Sequence, residues 1–133
     1  MKADLTREML RSDLLRRVEE ISGQNVMACY QCGRCSAGCP AAGAMDLLPN
    51  QVIRLVQLGL VLDATACRTI WTCAACLACE ARCPKGVELP RVMEALRQLV
   101  LDRGEHLAPS AIPPADLDEW PQQAFIGGFR KYT

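Results

Sequence analysis

Cys29–Pro40 reads CYQCGRCSAGCP, and Cys73–Pro84 reads CAACLACEARCP. Both follow C-x2-C-x2-C-x3-C-P, so eight of the nine cysteines stand at identical intervals in two short loops. Thiolates are soft ligands, and four crowded into one loop, twice over, point to metal chemistry rather than to packing. A C-x2-C-x2-C run wraps three sulfurs around one face of a cube, while a fourth, three residues on and followed by proline, is aimed elsewhere.

That spacing resembles the bacterial ferredoxin run, in which the fourth cysteine ligates the other cluster. Two complete copies predict two 4Fe–4S clusters with crossed ligation. Cys29, Cys32, Cys35 and Cys83 would hold one, and Cys73, Cys76, Cys79 and Cys39 the other. A zinc-binding adaptor is the competing reading, but zinc sites generally pair two separate C-x2-C knuckles. A disulfide framework fits poorly, because the cysteine count is odd.

The surroundings of the loops suit an all-α chain. Leu5, Met9, Leu14, Val18 and Ile21 recur at helical spacing, which predicts a leading helix over 1–22 with Asp4 as N-cap and Gly23 as stop. LLPNQVIRLVQLG carries Pro49 near its first turn and Gly59 at its end, a second helix. DATACRTIWT predicts a short helix entering the second loop. KGVELPRVMEALRQLVLDRG predicts a long one, with Pro90 near its start, Gly104 after its end and Val92, Leu96 and Leu99 on one face. No stretch alternates with the period of a strand. Each loop is thus followed by a proline and an amphipathic helix, which predicts two pseudo-symmetric halves. Residues 105–133 hold Pro109, Pro113, Pro114 and Pro121 without helical period, and read as an extended tail. Its Trp120, Phe125, Ile126, Phe129 and Tyr132 suit docking on a partner.

Composition narrows the function. Aromatics make up 5% of the chain, so cross-linking by metal would supplement a modest core. With 15 basic and 15 acidic residues, no basic field points to nucleic acid. MKADLTREMLRSD lacks the apolar region of a signal peptide, and no apolar run is long enough for a membrane span. A cytoplasmic location is expected, where clustered cysteines are metal ligands more often than disulfides.

Other residues carry open readings. Cys67 could replace a ligand or serve as a redox thiol, or be a small buried side chain. Tyr30 and Trp71 either shield the loops from water or simply pack. Arg34 and Arg82 either offset cluster charge, about −2 per oxidised cluster with its thiolates, or point to solvent. Gly33 and Gly38 either admit backbone N–H groups toward sulfide or satisfy turn geometry. His106 reads as a solvated or helix-end residue.

CYQCGRCSAGCP, PNQVIRLVQLGL and IWTCAACLACEARCP together resemble the C subunit of heterodisulfide reductase over about residues 20–104. The resemblance implies the α-helical ferredoxin fold of residues 1–104 and an electron-relay role. It further implies partners: a flavin-containing A subunit and a cysteine-rich B subunit that handles a disulfide. No Gly-rich nucleotide fingerprint or acid–base constellation is present here, so a non-catalytic role is expected. A free-standing dicluster ferredoxin is the alternative.

Overall fold

A computed structural model describes residues 12–101, 121–123 and 126–127. The chain divides into two units, Met1–Asp102 and Arg103–Thr133. The described residues form helices and turns, with no strand among them, in keeping with the all-α expectation.

Helix α1 spans Asp13–Ser22. Ser12 is its N-cap, in extended conformation, and its Oγ accepts the Leu15 N–H at 3.2 Å. The expected start at Asp4 lies outside the described residues. A helix running unbroken through residue 12 is not what forms, because the Ser12 hydroxyl satisfies an otherwise orphaned donor and starts α1 there. At the other end Gly23 is left-handed, φ 65°, and closes the helix by donating to the Glu19 carbonyl.

After the first loop and its short helix α2 (Arg34–Ala37), helix α3 spans Pro49–Gln57. The Gln51 side chain accepts the Leu48 N–H at 2.8 Å and so caps its start. DATACRTIWT forms two helices instead of one, α4 (Val61–Ala66) and α5 (Thr69–Thr72). Between them Cys67 is extended, because the Asp46 carboxylate accepts the Arg68 and Thr69 N–H groups and starts a new helix. Helix α6 (Ala78–Ala81) follows in the second loop, and α7 spans Leu89–Leu101.

Helix α1 packs along α7, which also meets α4, α5 and α6. The core is aliphatic: Val18, Val26, Val52, Ile53, Val56, Ile70, Val92, Met93 and Leu96 are all at most 1% exposed. Burial of each such side chain stabilises by roughly 1.5–3 kcal/mol. Both loops lie against this core, since Cys29, Cys35, Cys73, Cys79 and Cys83 pack on it. In the second unit, Gln122, Gln123, Ile126 and Gly127 are helical and exposed. Over these residues the extended reading is corrected: Pro121 precedes them and, with its missing N–H, is compatible with a helix start. The rest of the tail, including His106, Trp120, Phe125, Phe129 and Tyr132, lies outside the described residues.

Candidate metal centre

The two cysteine loops share one backbone path. Gln31 (φ 62°) and Ala75 (φ 50°), each two residues past the first cysteine, are both left-handed. Gly33 (φ 78°) and Leu77 (φ 63°), each four past it, are too. Glycine adopts this region freely, whereas the other three pay on the order of 1–3 kcal/mol each. The left-handed turns bend each loop back on itself before α2 and α6, and these two short helices pack together.

Side chains from the long helices hold the loop entries. Gln57 of α3 is buried, and its Nε2 donates to the carbonyls of Val26 (2.9 Å) and Cys29 (2.7 Å). Arg97 of α7 does the same for the second loop: its Nη1 donates to the carbonyls of Ile70 (2.7 Å) and Cys73 (3.3 Å). Each clamp takes the first cysteine of a loop and the residue three before it. A third tie joins the halves of the chain. The buried Thr69 hydroxyl lies 2.7 Å from Asp46 Oδ1 and accepts the Leu47 N–H at 3.1 Å. The Arg68 N–H bond, then the Thr69 hydroxyl, hold the Asp46 carboxyl well below the usual carboxylate range.

Cys39, the last cysteine of the first loop, lies beside cysteines of the second. It lines one cavity with Cys73, Cys76 and Cys79, enclosed otherwise by apolar residues such as Met45, Leu89 and Met93. The cavity has a volume of about 30 Å³. At the end of the second loop, Lys85, two residues past Cys83, sits over the ring of Tyr30 of the first loop at 5.8 Å. Among the described residues, no three His, Cys, Asp or Glu side chains form a group that could hold a single metal ion.

Hydrogen bonds reach sulfur in both loops. Cys29 Sγ accepts from Gln31 Nε2 at 3.6 Å, and Cys83 Sγ accepts the Val87 N–H at 3.3 Å. The Arg34 backbone N–H lowers the pKa of Cys32, helped by the Tyr30 hydroxyl, whose own pKa is raised by that bond. Burial raises the Cys35 thiol, and burial followed by the neighbouring Cys73 pushes Cys79 up to about 11. These two thiols must lose protons to bind metal, which couples loading to proton release. Four thiols around an apolar cavity, with backbone donors aimed at the sulfurs of Cys32 and Cys83, fit an iron–sulfur group in donor type and environment.

The remaining sequence candidates divide. Cys67 is buried in the core, its Sγ donating to the Ala64 carbonyl at 3.1 Å. Tyr30 and Trp71 are more than half exposed. Gly33 serves turn geometry. At Gly38 a Cβ would meet the exposed Arg82 side chain at 2.6 Å, which that flexible side chain can relieve by moving. Arg34 and Arg82 are exposed and line one open groove with Ala37 and Ala81. Gln57, Arg97, Asp46 and Thr69 carried no signal in the sequence reading; only Gln57 and Arg97, polar positions on the apolar faces of α3 and α7, could have raised the question.

An all-helical domain carrying two cysteine loops of this kind is an iron–sulfur protein of the dicluster class, and residues 25–87 match the family described as 4Fe-4S dicluster domain. The chain is similar to C subunits of heterodisulfide reductases. It is 36% identical over 94 residues to the iron-sulfur C subunit of the CoB–CoM heterodisulfide reductase of Methanopyrus kandleri, covering 70% of this chain and 49% of that one. It is 30% identical over 115 residues to the C2 subunit of the H2/formate:CoB-CoM heterodisulfide,ferredoxin reductase of Methanococcus maripaludis, covering 82% and 61%. A protein of Archaeoglobus profundus, described as like the heterodisulfide reductase C subunit, is 33% identical over 86 residues, covering 64% and 46%. The chain thus spans about half the length of the relatives it matches. No helix among the described residues is long and apolar enough to cross a membrane.

Proposed function

We propose that this chain is the electron-relay subunit of a heterodisulfide reductase or a related complex, holding two 4Fe–4S clusters by crossed ligation. Cys29, Cys32, Cys35 and Cys83 bind one; Cys73, Cys76, Cys79 and Cys39 bind the other. The observation that carries this reading is Cys39 lining one cavity with the three cysteines of the opposite loop. The approach of Lys85, at the Cys83 end, to Tyr30 supports the reciprocal half. Exchange of the fourth ligand ties the loops together, so metal contributes to folding as well as to function.

When bound, the clusters supply reversible one-electron chemistry. The chain's own residues do the rest. Gln57 and Arg97 hold the loop entries, backbone and side-chain donors compensate the negative thiolate sulfurs, and apolar residues around the second site limit water. Exposed Cys32 and Cys76 bring the sites near the surface, where electrons can pass to partners. The matched left-handed positions and equivalent clamps support two pseudo-symmetric halves within residues 1–104. The partners in this reading are a flavin-containing A subunit and a cysteine-rich B subunit, in the cytoplasm. Substrate chemistry belongs to them. Residues 105–133 form a docking tail for the B-like subunit.

Anaerobic purification tests the core of this reading. About eight iron and eight sulfide per chain are expected, with brown absorbance. Cys39→Ser should damage the second loop's cluster and Cys83→Ser the first's. Stoichiometric zinc, or damage confined to the mutated loop's own cluster, would overturn it. Deletion of 110–133 should keep the iron and weaken co-purification with the B-like subunit.

A further inference from the structure

The two clamps occupy equivalent places but differ in charge. Gln57 brings a neutral amide to the first cysteine of its loop, at 2.7 Å from the Cys29 carbonyl. Arg97 brings a guanidinium to the equivalent place, 3.3 Å from the Cys73 carbonyl. Its side chain is 15% exposed, so little water screens it on the loop side. Arginine remains cationic in such a setting. Positioning alone needs only the donors that an amide already supplies at the first loop.

The charge is partly answered on the opposite edge of the guanidinium. Arg97 Nε and Nη2 contact Glu94 Oε2 at 2.9 and 2.7 Å. The Glu94 side chain is 48% exposed, so water screens the carboxylate more than it screens the guanidinium edge at Cys73. Attraction between charges rises as the effective dielectric falls, so the inward cation outweighs its outward partner at the second loop. Arg34, Arg82 and Lys85 also stand near the loops, and Arg54 Nη1 donates to Gln57 Oε1 at 3.3 Å, but all four are exposed and screened by solvent.

We propose that Arg97 is a positioning residue that also sets the reduction potential of the second loop's cluster, making it electronically distinct from the first. A reduced cluster carries one more negative charge than an oxidised one. A fixed cation beside Cys73 therefore favours the reduced form there, while Gln57 exerts no such bias at Cys29. This inference rests on the iron–sulfur reading above.

The test is an EPR-monitored redox titration of the full chain, loaded anaerobically, with the second cluster's signal assigned by its loss in Cys76→Ser. Arg97→Gln installs at the second loop the chemistry of the first. It should retain both clusters and lower the second cluster's electron affinity about tenfold, a downward shift of about 59 mV for one electron. The first cluster should not move. Arg97→Lys keeps the charge while losing the planar fork, and should stay within about threefold of wild type. Glu94→Gln removes the counter-charge while keeping an acceptor for Arg97 and its Nη1 bonds to Ile70 and Cys73, and should shift the second cluster upward. It also decides the matter should Arg97→Gln fail to assemble. The inference is overturned if Arg97→Gln and Arg97→Lys shift the potential alike, if both clusters move together, or if Glu94→Gln shifts nothing. A wild-type chain without iron–sulfur signals would instead overturn the reading beneath it.

Discussion

Replacing Gln57 by methionine keeps an unbranched side chain of similar length and removes both amide donors. Gln57 is 6% exposed, so its hydrogen bonds form away from bulk water. The Val26 carbonyl would keep a second partner, the Cys29 N–H at 3.3 Å, and the half-buried Cys29 carbonyl can be rehydrated. Neither acceptor is stranded, so the ordinary net value of a hydrogen bond applies, about 0.5–1.5 kcal/mol each. Two such bonds come to about 2 kcal/mol, or a factor of about 30 in a local opening equilibrium. Both bonds anchor the entry of the first loop alone. The assay is iron release to a chelator under anaerobic conditions, followed by loss of visible absorbance and by EPR. In Gln57→Met one half of the iron should leave about 30-fold faster, and the other half at the wild-type rate. Unchanged release, or equal acceleration of both halves, would refute the claim that Gln57 holds one loop.

The same logic extends to the rest of the framework. Cys67→Ser should retain full iron content, because its Sγ faces the Ala64 carbonyl in the core; loss of one cluster on iron analysis would make Cys67 a ligand. Thr69→Val should lower stability by about 1–2 kcal/mol by removing a buried hydroxyl. Its effect on the thermal midpoint should not add to that of Asp46→Asn, since both untie one knot. The Asp46 carboxyl is depressed in the fold, so its stabilising contribution is complete above the unfolded value of about 3.9 and fades as pH falls further. In the metal-free chain, mass-spectrometric mapping of alkylation should find exposed Cys32 reacting well before half-buried Cys79. With a Cys79 pKa of about 11, only about one thiol in a thousand is ionised at pH 8. Its reactivity should rise tenfold per pH unit until near that value, and equal rates at both cysteines would contradict the assignment.

Much of the fold was legible because its signals are local. The apolar periods of Pro49–Gln57 and Leu89–Leu101 determine which faces are buried, and the paired C-x2-C-x2-C-x3-C-P runs determine the ligand chemistry, all within a few turns of chain. Where the reading missed, a side chain acted across distance or a short-range competitor prevailed. Ser12 took over the start of α1 through its own hydroxyl, and Asp46 split one expected helix into two from 22 residues away.

By itself, then, the sequence determined that this is a helical protein whose two identical loops present eight thiols to soft metal. Only the tertiary structure decided that Cys39 shares a cavity with Cys73, Cys76 and Cys79, and that a neutral Gln57 and a cationic Arg97 hold equivalent carbonyls. Spacing encodes geometry along one segment. Which side chain meets which carbonyl depends on how α3 and α7 pack against the loops, and that packing is set by nonlocal burial of the aliphatic core.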